Sequence, residues 1–288
     1  MPLVSLPHMC VLELTPPEVV TCAAATGFSA VNLRLAPARE GEKPYPMFDD
    51  APMLRDTEAR LRETGVRLLD VEVVWLRADT DAAAYEPLFA TAARLGAENV
   101  IVAGGDADHR RASENFARLC SLAARYRVKV NLEFMAFSAI RNLAEALAII
   151  DAAAQPNARV LLDALHTARA GVSVADVARV DRSLISFYQL CDAPREAPAT
   201  IEAIAHEARF DRMLPGEGGI DLDAFVRALP AGLDVSVEVP LGGDRAKLPA
   251  IERARLIRES AARFLARMGG ERAAGRGRPQ EKGGIQRL

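Results

Sequence analysis

The sequence predicts a single-domain (β/α)8 barrel, the TIM barrel fold. Three observations carry that prediction. Eight short apolar runs alternate with eight helical stretches over 288 residues, the rhythm and length of an eightfold βα repeat. Half of the residues are hydrophobic but only 5% are aromatic. Ala, Leu, Val and Arg dominate, which suits helices packed on buried parallel strands. The last four apolar runs each carry a polar residue near their end, where barrel enzymes place their chemistry. An open doubly wound sheet is the alternative fold. It would show a glycine-rich first turn, and Leu6-Pro7-His8-Met9-Cys10-Val11 has none.

Leu3–Leu6 is the first strand, ending at Pro7-His8. Pro16-Pro17 opens a helix that runs to Gly27. Ala30–Leu35 is the second strand, followed by a long Pro-rich polar loop of the kind that is often functional. A helix from Pro52 to Thr64 stops at Gly65. Arg67–Leu76 is strand three, and Asp79 or Thr80 caps the next helix, which ends at Gly96. Asn99–Ala103 is strand four, before Gly104-Gly105-Asp106. Ser113–Arg127 is helical, Lys129–Met135 is strand five and Asn142–Ala154 is helical. Arg159–Asp163 is strand six, Val174–Val180 a short helix and Leu184–Cys191 strand seven. A long connection contains helical Ile201–Ala208, then Arg209–Leu222, then a helix Asp223–Leu229. Leu233–Val239 is strand eight and Leu248–Met268 the last helix. The barrel therefore covers residues 1–268. Gly269–Leu288 is Gly-rich, basic and without periodicity, and reads as a passive disordered tail.

Composition narrows the function. A formal net charge of −3 speaks against a general nucleic-acid binder. No apolar run has transmembrane length. The start of the chain carries Pro2 and Pro7 and no basic leader, unlike a secretory signal. Cys10, Cys22, Cys120 and Cys191 form no CxxC pair, so a reducing cytoplasm is the expected compartment.

Strand five offers Glu133, strand six Asp163, strand seven Gln189 and strand eight Glu238. Each sits in or at the end of an apolar run, where a lone carboxylate is penalised. Asp163 alone also reads as a helix N-cap, with His166 following it. On sequential barrel strands the four groups converge on one point. Three converging carboxylates repel unless a cation joins them. All four donors are oxygens, which favours Mg²⁺ or Mn²⁺ over Zn²⁺; Co²⁺ and Zn²⁺ are alternative occupants.

This set resembles the xylose isomerase-like superfamily of barrels, which includes sugar isomerases, sugar epimerases and inosose dehydratases. The family usually supplies Glu, Asp, His and Glu; here Gln189 stands where His is common. Asp163-Ala-Leu-His166, Gln189-Leu-Cys-Asp192-Ala-Pro194 and Leu214-Pro215-Gly216-Glu217-Gly218 look most like the branch with bacterial 3-dehydroshikimate dehydratases, which also uses Gln as a ligand. The chain departs from that branch after Glu133, where Phe134-Met135-Ala136-Phe137 lacks the Trp expected there. It also departs at Arg34 and Glu72.

The resemblance implies metal ligation by Glu133, Asp163, Gln189 and Glu238. Glu133 and Glu238 would share the proton work. His166 would contact substrate or act as acid or base, and Arg212 would hold an anionic or hydroxylated substrate group. Arg34 and Glu72 either face substrate or pair with each other. His8 is either a wall residue or a substrate contact. The implied reaction is isomerisation or epimerisation of a sugar or polyol ketone, phosphorylated or not, by proton removal next to a carbonyl through an enediolate. A dehydratase acting on dehydroshikimate or an inosose is the alternative. Gly104-Gly105 and the PGEGG segment offer backbone N–H groups to a phosphate, and His109 lies beside Arg110 and Arg111. His206 falls on a polar helix face. Abasic-site endonucleases share the barrel but use a His-rich metal cluster, and this chain has only four His. The expected partner is a small hydroxy-ketone, with no nucleic acid or membrane. A homodimer is expected by analogy with such barrels.

Overall fold

The computed structural model describes residues 2–38, 42, 44–49 and 51–276. Eight parallel strands close into a barrel in chain order, with β8 returning to β1. They are β1 Val4–Leu6, β2 Ala30–Arg34, β3 Arg67–Leu76, β4 Asn99–Gly104, β5 Lys129–Glu133, β6 Ala158–Asp163, β7 Phe187–Gln189 and β8 Asp234–Ser236. The helices are α1 Pro16–Thr26, α2 Pro52–Thr64, α3 Glu86–Arg94, α4 His109–Ala124, α5 Leu143–Ala153, α6 Ala164–Arg169, α7 Val174–Arg179, α8 Ile201–Phe210, α9 Leu222–Ala228 and α10 Ala250–Arg276.

Alternation along the strands builds two apolar layers. Val100 and Val102 join the large cluster between sheet and helices. Ile101 and Ala103 turn the other way, into a smaller cluster with Leu69, Val73, Leu161 and Phe187 that fills the lumen. Polar residues interrupt the lumen lower down. The Asn32 amide hydrogen-bonds the Asp70 carboxyl, and Asn131 Nδ2 donates to Asn99 Oδ1 at 3.2 Å. Burial holds the Asp70 carboxyl well above its ordinary pKa.

Several boundaries differ from the sequence-based expectation. Asp81 caps a 3-10 turn, Ala82–Tyr85, that leads into α3. α4 begins at His109 because the Asp108 carboxylate accepts from Arg111 N. An extra helix, α6, follows Asp163 directly. β7 and β8 are shorter than their apolar runs, since hydrophobic residues continue past the paired segment. Gly269–Arg276 continue α10 rather than forming an irregular tail. The Ala- and Arg-rich stretch after the two glycines suits a helix. Of the expected disordered tail, residues 277–288 lie outside the described residues. No helix among the described residues is long and apolar enough to cross a membrane.

Candidate metal centre at the barrel mouth

Three strands end on three of the expected ligands. Glu133, Asp163 and Gln189 are the last residues of β5, β6 and β7, and Asp163 lies directly beside Gln189 in the sheet. Glu238 follows two residues after β8. One oxygen each from Glu133, Asp163 and Glu238 lies within 4.8 Å of the others, and all three residues are buried. Gln189 Nε2 donates to Glu238 Oε1 at 2.9 Å. The amide nitrogen thus faces Glu238. That leaves Gln189 Oε1 buried and without a partner. An orphaned oxygen beside three clustered carboxylates fits a hard divalent cation.

Asp163 serves two ends. One oxygen caps α6 by accepting from His166 N at 2.8 Å. The other meets Arg212 Nη1 at 2.7 Å. Arg212 lies within the carboxylate cluster: Nη2 is 2.9 Å from Glu238 Oε2 and Nε donates to Ala208 O at 2.7 Å. Nη1 also reaches the Cys191 sulfur at 3.4 Å. Burial opposes the Arg212 charge, but Asp163, Cys191 and Glu238 outweigh it and raise its pKa. Burial likewise works against the Asp163 charge, yet Arg212 and His166 bring its carboxyl below the ordinary value. The two glutamates go the other way. Burial, then the neighbouring Glu238 and Asp163 charges, pushes Glu133 well up. Burial raises Glu238 to about 7 against the pull of Arg212. Both carboxyls are held above the ordinary glutamate value, the direction that suits a group that must accept and return a proton.

His166 Nε2 is 3.8 Å from Glu133 Oε1, and its Nδ1 is buried without a partner. Burial lowers its pKa to about 4, so it is neutral and the contact is not an ion pair. The Phe137 ring meets it edge-on at 5.6 Å.

Arg34 and Glu72 pair with each other. Glu72 Oε1 is 3.0 Å from both Arg34 Nε and Nη2, while Nη1 reaches Glu42 at 3.1 Å. Both members of the pair still line the cavity at the mouth, about 90 Å³ in volume, together with Glu133, His166, Arg212 and Glu238. His8 is fully buried and stacks on Tyr45. Its Nδ1 accepts from Arg34 N at 3.2 Å and its Nε2 donates to Leu14 O at 2.8 Å. Both ring nitrogens are therefore used within the wall.

The PGEGG segment wraps the chain's own anion. The Asp192 carboxylate accepts from the backbone N–H groups of Gly216 and Gly218 at 3.0 Å each and of Ile220 at 3.2 Å. A Cβ at Gly218 would collide with that carboxylate. His109 is at the start of α4, 4.0 Å from Glu145, and His206 packs on Phe210; neither lines the cavity. The cavity also recruits Met135 and Phe137, from the stretch that departs from the resembled branch, and two residues that no motif marked, Trp75 and Arg209 from α8. The length of the Pro-rich loop was the sequence signal for Glu42; Arg209 gave none.

Residues 20–267 match the family model for the xylose isomerase-like TIM barrel. Inosose isomerase from Bacillus subtilis (strain 168) is 29% identical over 113 residues, 38% of this chain and 38% of that protein. The match thus spans under half of the curated relative's length. The solved IOLI protein with a bound zinc atom superposes with a TM-score of 0.78 at 19% identity, covering 92% of this chain and 99% of that one. The probable 3-DHS dehydratase AsbF from Bacillus anthracis gives 0.68 at 16% identity, over 88% and 98%. D-psicose 3-epimerase gives 0.70 at 13% identity, over 93% and 100%. At these identities the structural likeness carries the fold alone. A family match over most of its length, on a closed eight-stranded barrel, makes this chain a member of the xylose isomerase-like TIM barrel family.

Proposed function

We propose that this protein is a divalent-metal-dependent isomerase or epimerase of a sugar or polyol ketone. The observation that carries the reading is the convergence of Glu133, Asp163 and Glu238 around the partnerless oxygen of Gln189. Glu133, Asp163, Gln189 and Glu238 would hold Mn²⁺ or Mg²⁺. The zinc atom bound in the solved IOLI protein supports Zn²⁺ as an alternative occupant. A cation bound there polarises a substrate carbonyl and its neighbouring hydroxyl and acidifies the carbon between them.

The residues supply the rest. Glu133, at the end of β5, and Glu238, just past β8, carry the proton off one carbon and back to the same or the next. Return to the opposite face gives epimerisation; return to the neighbouring carbon gives isomerisation. Arg212 keeps Asp163 and Glu238 oriented and places a fixed positive charge where negative charge develops on substrate oxygen. His166, neutral, offers its Nε2, 3.8 Å from Glu133, to a substrate hydroxyl. Burial of the whole set excludes water and strengthens these interactions.

Loss of a β-hydroxyl from the same deprotonated substrate gives dehydration. Gln189 in the ligand set, as in the dehydratase branch that the motifs resemble, favours that lyase as the second reading. The four cysteines are buried free thiols, which supports placing the enzyme in a reducing cytoplasm. Glu238→Gln tests the proposal. The variant is expected to fold, to lose bound metal and to lose turnover; full activity in it would remove the site assignment.

A further inference from the structure

The cavity has two chemically opposite faces. Carboxylates and guanidiniums form one. The other is Val73 and Trp75 from β3, Ile101 and Ala103 from β4, and Met135 and Phe137 after β5. Five of these six carry no hydrogen-bonding side-chain group. The sixth, Trp75, donates its indole N–H to Ala38 O at 2.9 Å. A substrate hydroxyl turned to this wall gives up water and finds no partner, which weakens binding roughly tenfold to a hundredfold. A carbon–hydrogen surface meets no such penalty and gains from burial.

Two of the three guanidiniums on the charged face, those of Arg34 and Arg212, are already paired with carboxylates of the chain. Arg34 is spent on two carboxylates and Arg212 on two more. Arg209 lies over the Phe137 ring at 5.0 Å. An anionic substrate group would have to compete with the chain's own carboxylates for Arg34 and Arg212.

We propose that the substrate is an uncharged hydroxy-ketone whose end remote from the reacting carbons is carbon–hydrogen surface, seated on the Val73–Trp75–Ile101–Ala103–Met135–Phe137 wall, and not a phosphate ester or a carboxylate. This rests on the proton-transfer reading of the site but is tested apart from it. The full-length, Mn²⁺-loaded protein is titrated calorimetrically with a hexulose, its 6-deoxy analogue and its 6-phosphate, over several hexulose stereoisomers. Deuterium uptake next to the carbonyl is followed in parallel. The 6-deoxy compound is expected to bind about tenfold or more tighter than its parent, and the phosphate about tenfold or more weaker. Ile101→Thr, which gives the wall a hydroxyl, is expected to narrow the gap between deoxy compound and parent. A phosphate ester that binds tightest overturns the inference and assigns an anion site at Arg209. A parent hexulose preferred over its deoxy analogue, a ratio unchanged by Ile101→Thr, or no binding of any compound at millimolar concentration also overturns it. The expected ranking without deuterium uptake keeps this inference and removes the proton-transfer reading instead.

Discussion

Replacing Arg212 by Met separates the two charges that hold the carboxylate cluster together. Arg212 lies 2.7 Å from Asp163 and 2.9 Å from Glu238, with all three buried. Each pair is worth about 6 kcal/mol of attraction at an effective dielectric of about 20. Most of that offsets the cost of removing the ions from water. Deleting one partner of a buried pair typically costs about 3–5 kcal/mol, because the remaining charge is left uncompensated. Arg212→Met should therefore lose about 3–5 kcal/mol of stability in chelator. With saturating Mn²⁺, the cation satisfies the same two carboxylates and no longer faces the guanidinium charge. The loss should then fall below about 2 kcal/mol, because most of the compensation that was deleted is restored. Urea unfolding with and without metal, in wild type and variant, measures both quantities. An equal loss in the two conditions would refute the reasoning, since it would mean that Arg212 and the cation do not share carboxylates. Arg212→Lys should recover only part of the stability, because an ammonium cannot bridge both carboxylates as the planar fork does.

Three further outcomes are expected. Gln189→Leu removes the neutral donor and should weaken Mn²⁺ binding by more than the roughly 10–100-fold that loss of an outer-shell partner costs; calorimetric titration with the metal checks this, and unchanged affinity would exclude Gln189 as a ligand. Burial lowers the His8 pKa from 6.5 to about 4, so the folded state resists a proton that the unfolded chain takes up. Its contribution of about 3 kcal/mol is complete above pH 6.5 and drains away as pH falls towards 4; His8→Gln should flatten the stability profile across that window relative to wild type, and parallel profiles would contradict the assignment. Asp192→Ala strips the acceptor from the Gly216, Gly218 and Ile220 N–H groups and should cost about 2–4 kcal/mol, read as a fall in the denaturation midpoint; a variant as stable as wild type would mean that the loop finds other acceptors.

The barrel was legible because its signal is local. Eight apolar runs separated by helical stretches leave few alternatives, and helix starts such as Pro16-Pro17 and Pro52 announce themselves. The carboxylate cluster was legible for a physical reason too: Glu133, Asp163 and Glu238 interrupt apolar runs, where they need a shared partner. The Asp163 cap and the Asp163 cluster were posed as alternatives, and the residue does both with different oxygens. Contacts over long sequence separations left no local trace. Arg212 reaches Asp163 across 49 residues. The PGEGG donors are taken by Asp192, 24 residues before Gly216, which no spacing rule reveals. His8 sits at a strand end like the ligands, but its ring nitrogens are claimed by Leu14 and Arg34 on neighbouring segments. The paired length of β7 and β8 was overestimated because hydrophobicity marks burial, and burial continues past the last ladder hydrogen bond.

The central claim is that the cluster moves a proton next to a carbonyl. Proton NMR in deuterated water, with Mn²⁺-loaded enzyme and a panel of keto-sugars, inososes and dehydroshikimate, tests it most directly. The account predicts deuterium at a carbon beside the carbonyl, absent with metal-free enzyme and with Glu133→Gln, and no new alkene signal. New vinylic or aromatic signals would assign the dehydratase instead. No exchange with any member of the panel, despite bound metal, would contradict the account.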